Sequence, residues 1–218
     1  KMHACGHDSH TAMVLGAAHI LAKEKLNGRV RFLFQPSEES ADEEGKSGAV
    51  RMSEEGAMEG VDYVIAQHVD PGQPLGTIAI SSGPASGGVD SWFAVIQGRG
   101  GHGAYPHHTI DPFYLLAHVI FALNAMISRK LDPFAPAVVS IGSINGGFTE
   151  NVIPDSIKIT GTLRYTTHET QKLVHDEIRR AFETVKALGG CYQLMLEIGS
   201  PPMINDVQVT EMIEAVGR

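Results

Sequence analysis

Between Gly88 and Gly199 the apolar pattern changes period in a fixed succession. Ser91 to Gln97 alternates and reads as a strand. Pro112 to Ser128 carries Leu116, Ile120, Leu123 and Ile127 at helical steps. Ala137 to Ile144 and Ser156 to Tyr165 alternate again. Glu169 to Leu188 is helical, with Leu173, Ile178, Phe182 and Val185 facing inward, and Tyr192 to Ile198 alternates once more. The order βαββαβ predicts a split-βαβ, ferredoxin-like unit, which leaves few other ways to bury two helix stripes on one sheet.

The flanks read differently. Ser9 to Lys25 predicts a helix, capped by Asp8 or Ser9 and ended by Asn27-Gly28. Arg29–Phe34, Val61–Ala66 and Thr77–Ile80 read as strands, with a helix over Gly48–Met58 between the first two. Strand and helix alternate, which predicts an α/β layer with a largely parallel sheet. The small residues Ser81 to Gly88 read as a linker. Asn205 to Arg218, after Pro201-Pro202, reads as a last helix. The predicted domains are therefore residues 1–87, 88–199 and a return to the first domain over 200–218.

Composition excludes several classes. Seventeen Lys+Arg against twenty-five Asp+Glu give a net charge of −8, and the basic residues do not cluster. Nucleic-acid binding, which needs clustered cations against phosphate, is not expected. Hydrophobic residues make up 43% of the chain, enough for a packed core. The longest uncharged helical stretch, Pro112 to Ser128, falls short of the ~20 residues of a membrane span and reads as a buried core helix. Two cysteines, Cys5 and Cys191, do not make a disulfide framework, and Cys191 reads as a buried small apolar residue. The first residues have no signal-peptide pattern, so the cytoplasm is the default location.

Metal-capable side chains concentrate in four short segments: Cys5-Gly6-His7-Asp8, Glu38-Glu39, Gln67-His68 and Gly101-His102-Gly103. Any one alone is ordinary, because Glu-Glu in an acidic loop is usually solvated surface. Together, thiolate, imidazole and carboxylate suit Zn²⁺, Mn²⁺, Co²⁺ or Ni²⁺. Glu38-Glu39 and His68 follow predicted strands, and in open α/β sheets ligands gather beyond strand carboxyl ends.

Six motifs in order carry a resemblance: Met2-His3-Ala4-Cys5-Gly6-His7-Asp8; Gln35-Pro36-Ser37-Glu38-Glu39; Gln67-His68-Val69 followed by Pro71, Pro74 and Gly76; Gly98 through His107; Asn151 through Asp155; and Gly161-Thr162 with Arg164. Over essentially the whole chain, the sequence resembles the amidohydrolase branch of the dinuclear metallo-aminoacylase and carboxypeptidase family. The resemblance implies a metallopeptidase-like catalytic domain, here incomplete, with an inserted lid that also forms a homodimer. It implies two divalent ions held by Cys5, His7, Glu39 and His68, with the Cys5 thiolate bridging. Glu38 would be the general base for the attacking water, and His102 the donor that stabilises the oxyanion in the partner subunit. Asn151 and Arg164 would bind the carboxylate or amide of a small N-acyl amino acid or related amide. Asp8 would be either a support for the ligands or a helix cap. The remaining histidines, His10 and His175 among them, read as solvated or packed.

Members of that family run to nearly twice this length and carry one more metal-binding histidine toward their C-terminus. No histidine follows His175. The expectation is a fragment of a full enzyme, with weak metal binding and little turnover of its own. A non-catalytic dimerisation or binding module is the alternative. A thiol-redox role for Cys5 lacks a nearby resolving cysteine.

Overall fold

A computed structural model describes residues 2–217, so the predicted end of the last helix at Arg218 lies outside the described residues. The chain forms two compact units, Lys1–Ala79 and Ile80–Arg218.

In the first unit, α1 spans His7–Leu21 and α2 spans Gly48–Glu54. Helix α1 starts two residues earlier than predicted. Neither Asp8 nor Ser9 is its cap: Gly6, in the left-handed region at φ 78°, holds that position. The helix stops at Leu21, before Asn27-Gly28, and buries no side chain.

The parallel sheet predicted for this unit does not form. Arg29–Phe34 and Val61–Ala66 run without strand pairing, as does Thr77–Ile80 at the boundary. A strand exists through its hydrogen-bonded partner, and these segments find none among the described residues. Most of their apolar side chains stay exposed, Val30, Phe34, Tyr63, Val64 and Ile65 among them, while Phe32, Leu33 and Val61 are half-buried.

The second unit begins with β1, Gly83–Ser86, and β2, Gly88–Gln97. The stretch read as a linker is thus largely strand: β1 pairs antiparallel with a later strand, and the Asn205 amide donates to the Ser81 carbonyl at 2.8 Å. After β2 come the two-residue strand β3 (Gly101–His102), a 3-10 turn at Pro106–His108, and α3 (Pro112–Arg129). Then follow β4 (Ala137–Asn145), β5 (Val152–Ile153), β6 (Ser156–Tyr165), α4 (His168–Ala187) and β7 (Cys191–Ile198). Strand β8, Met203–Asn205, occupies the residues before α5, Val207–Gly217, so the last helix starts later than predicted.

The central sheet has the order β4-β6-β2-β7 with every pairing antiparallel. This is the βαββαβ succession read from the sequence. One face of the sheet carries α3 and α4. Trp92, Ile96, Ile157, Ile159 and Leu163 from the strands meet Leu115, Val119, Leu123, Val174, Ile178, Phe182 and Val185 from the helices. Within α4, Val174 is buried while Leu173 is 37% exposed, one position off the predicted stripe. Helix α3 is long and apolar enough to cross a membrane by length and composition, and one of its faces lies in this core. Cys191 proves exposed, not buried, at the start of an edge strand.

Two details lock the unit. Trp92 pairs with Gly161, whose missing Cβ would stand 2.2 Å from the indole Cζ2. Asp90, 1% exposed, accepts hydrogen bonds from His175 Nε2 (2.7 Å), Gln171 Nε2 (2.8 Å), Gly199 N (3.1 Å) and the Tyr165 hydroxyl (3.2 Å). A buried carboxylate needs such partners, and these tie β2, β6, α4 and the end of β7 together. His175 is therefore a packed, hydrogen-bonded residue, in keeping with its sequence reading.

Candidate metal centre

Three segments of the first unit converge. The left-handed turn at Gly6 lets α1 begin directly after Cys5, so His7 opens the helix. A Cβ on Gly6 would stand 2.5 Å from Val69 Cγ2. Glycine therefore permits the Cys5–His7 turn to seat against the residue that follows His68. The rings of His7 and His68 are 5.6 Å apart and nearly perpendicular, and Cys5 Sγ lies 3.4 Å from His68 Nε2.

The third segment brings the carboxylates. Ser37 adopts φ 47°, unusual for a residue with a side chain. Gly48 approaches so closely that a Cβ there would fall 1.7 Å from the Pro36 carbonyl oxygen. Beyond this turn, Glu38 Oε2 and Glu39 Oε1 each lie 3.6 Å from His7 Nε2. The acidic loop that follows is ordered by Asp42, which accepts from the Lys46 and Glu44 amides and pairs with Arg51 at 2.7 Å. These partners hold the Asp42 carboxyl below its ordinary range, the Lys46 amide contributing most.

Two sets of ligand atoms result, Cys5-His7-His68 and His7-Glu38-Glu39, each set within 4.8 Å and sharing His7. Tetrahedral ligands about 2.1 Å from one ion stand roughly 3.4 Å from each other. The spacings of 3.4 and 3.6 Å therefore fit donors to common cations. A cleft of ≈ 480 Å³ opens on the cluster, lined by Met2, Cys5, His7 and Glu39 among others.

Protonation follows from the partners. The Val69 carbonyl can only accept, so the 2.7 Å contact makes His68 Nδ1 the protonated nitrogen. Its Nε2 lone pair then faces Cys5, the tautomer a metal ligand needs. The Cys5 thiol is pushed above its ordinary value by its hydrogen bond to Glu39, then by burial and by the charges of Glu39 and Glu38. A thiol held protonated is a poor nucleophile, which speaks against the redox reading. A divalent cation would reverse the local sign and favour thiolate.

One residue escaped the sequence reading. His10 packs against both His7 (5.2 Å between ring centres) and His68 (4.4 Å), and its Nε2 accepts the Val69 N–H at 3.0 Å. Burial, then the neighbouring His68 and His7, push its imidazole down, against a smaller upward pull from Asp8 and Glu38. The signal was available: His10 follows His7 by three residues, which places both on one helix face. Asp8 sits in the first turn of α1.

In the second unit, β3 and β5 form a ribbon with His102 opposite Val152, and the Gly103 amide donates to the Asn151 carbonyl at 2.8 Å. The ribbon thus brings His102 and Asn151 to adjacent register positions. The Ala104 amide donates to His102 Nδ1 at 3.1 Å, which leaves the proton of the neutral ring on Nε2. Asn151 Oδ1 accepts from the Thr149 hydroxyl at 3.2 Å. Arg164 lies elsewhere, in β6 between Val89 and Val138, with its guanidinium donating to the Leu163 carbonyl.

The first unit thus gathers thiol, imidazole and carboxylate donors at spacings that could hold metal ions. Residues 1–218 match the family described as Peptidase family M20/M25/M40, and the chain belongs to it. It is 38% identical over 216 residues to "Thermostable carboxypeptidase 2" of Saccharolobus solfataricus, covering 97% of this chain and 54% of that protein. It is 39% identical over 207 residues to "N-acyl-L-amino acid amidohydrolase" of Geobacillus stearothermophilus, covering 94% and 55%. Among crystal structures it resembles the Bacillus subtilis YXEP protein, a dinuclear metal-binding peptidase of the M20 family. The TM-score is 0.80 at 32% identity, covering 99% of this chain and 54% of that one. The chain spans about half the length of the curated relatives it matches.

Proposed function

We propose that the chain supplies the metal-binding and lid segments of an amidohydrolase that cleaves N-acyl amino acids or related small amides. The observation that carries this reading is the pair of ligand sets sharing His7. Cys5, His7, Glu39 and His68 would hold two divalent ions from the group Zn²⁺, Mn²⁺, Co²⁺ and Ni²⁺. When bound, such ions polarise a carbonyl and lower the pKa of water from ~15.7 to about 7.

This chain's own groups do the rest. Glu38, whose carboxylate lies as near His7 as that of Glu39, is assigned as the base that accepts the proton of the attacking water and passes it to the leaving amine. His102 would offer its Nε2–H to the oxyanion of the tetrahedral intermediate in the active site of a partner subunit. Asn151 and Arg164 hold the substrate carboxylate or amide, for which a guanidinium fork is well shaped. The products are a carboxylic acid and an amino acid.

In this reading residues 88–199 form the ferredoxin-like lid, through which two copies pair, and residues 1–87 and 200–218 belong to the catalytic domain. Antiparallel pairing of β1 with β8, directly outside those limits, supports an insertion that leaves and returns at one place. The test is amine release from a series of N-acetyl amino acids by the protein that carries this chain. Glu38→Gln should lower kcat about 10²–10⁴-fold with metal content unchanged. Unchanged kcat in that variant overturns the assignment.

A further inference from the structure

We propose that His10 is a positioning residue that fixes the tautomer and direction of His68 through Val69, an inference that rests on His68 being a metal ligand. Val69 is held on three sides. Its N–H donates to His10 Nε2 at 3.0 Å, its carbonyl accepts from His68 Nδ1 at 2.7 Å, and its Cγ2 packs where Gly6 has no Cβ. A peptide N–H can only donate, so His10 Nε2 carries a lone pair and its proton sits on Nδ1. The His10 ring also flanks the His68 ring at 4.4 Å.

The consequence lies at the other end of His68. With Nδ1–H committed to the Val69 carbonyl, Nε2 presents its lone pair toward Cys5 Sγ, 3.4 Å away. A histidine without a fixed partner samples both tautomers, and one of them places a proton where a cation must sit. Outer partners of this kind orient a ligand and raise its basicity. His10 does so at one remove, by holding the backbone on which the His68 hydrogen bond depends. It also couples two segments of the site, because α1 bears both His7 and His10.

The tautomer of His68 can be read without metal, from two-bond ¹H–¹⁵N spectra of histidine-labelled, metal-free chain at about pH 8, above the ordinary imidazole range. Wild type and His10→Gln, whose amide oxygen can accept the Val69 N–H, should both show His68 protonated at Nδ1. His10→Leu should show an average of tautomers. An unchanged His68 in His10→Leu overturns the inference. So does an averaged His68 in His10→Gln, because hydrogen-bond acceptance would then not be what His10 contributes. In zinc titrations, His10→Leu should bind about 10–100-fold more weakly than wild type, and His10→Gln close to wild type. Failure of wild type itself to bind zinc overturns the metal-centre reading, while the metal-free spectra still decide the role of His10.

Discussion

Cys5 Sγ lies 3.4 Å from His68 Nε2, although the two residues are 63 apart in sequence. Glu39 and Glu38 beside the thiol keep it protonated above its ordinary range. A cation that takes Cys5 as ligand must displace that proton. Zinc affinity should therefore rise with pH between about 6.5 and 8.5, and calorimetry in buffers of different ionisation enthalpy should register proton release. Pre-formed thiolate would give binding without release from Cys5, a difference that Cys5→Ser isolates.

Gly48 governs the carboxylate arm of the site from a distance. A Cβ at this position meets the Pro36 carbonyl oxygen at 1.7 Å, and backbone cannot swing aside as a flexible side chain can. Gly48→Ala should displace the turn at Ser37 and with it Glu38-Glu39. Overpacking of this kind costs about 1–3 kcal/mol, concentrated in the first unit. Metal affinity should drop while near-ultraviolet dichroism of Trp92, in the second unit, stays unchanged. Retained affinity would show that the turn is set by other contacts.

Tyr165 links stability to alkaline pH. Burial, then the charge and hydrogen bond of Asp90, push its hydroxyl up to about 12. The folded state thus keeps a proton that the unfolded chain loses near pH 10. Stability from this group is complete below about pH 10 and is lost as pH rises toward 12. Denaturant midpoints at pH 8, 10 and 11 should fall over the last interval. Tyr165→Phe should be less stable at pH 8, having lost its bonds to Asp90 and Gln171, and should lose less on going to pH 11. Equal slopes in both proteins would contradict this origin.

The Trp92–Gly161 pair offers a test of the core. The indole fills the space over Gly161 and meets Phe182 edge-on at 6.0 Å between ring centres. Gly161→Ala should cost about 1–3 kcal/mol and shift Trp92 fluorescence. Phe182→Ala, which opens a cavity beside the same ring, should cost about 3–5 kcal/mol. A Cβ at Gly161 would also stand 2.1 Å from the Ser140 carbonyl oxygen, so a neutral Gly161→Ala would show that both the indole and that backbone can shift.

How legible the fold was depended on where each element finds its partner. Strand β6 has its predicted limits and α3 departs by one residue, because both read their period from a core that lies within this chain. Arg29–Phe34 and Val61–Ala66 have strand composition and no ladder, since alternation reports a buried face and not a neighbour. The segment Gly83–Ser86 hid its strand because small residues signal turns, and its partner Met203–Asn205 lies far along the sequence. At the site, Cys5, His7, Glu38, Glu39 and His68 were nameable from motifs, and the structure brings their ligand atoms together. The three-residue step from His7 puts His10 on the same helix face, but the Val69 amide whose hydrogen bond it accepts leaves no residue type to read.

The most direct measurement is the transition-metal content of the purified chain, by plasma mass spectrometry, beside a Cys5→Ser/Glu39→Gln double variant. The account predicts bound divalent metal in the wild type and its loss in the variant, with far-ultraviolet dichroism unchanged. Equal metal in both proteins, or none in the wild type after dialysis against zinc or manganese, would contradict it.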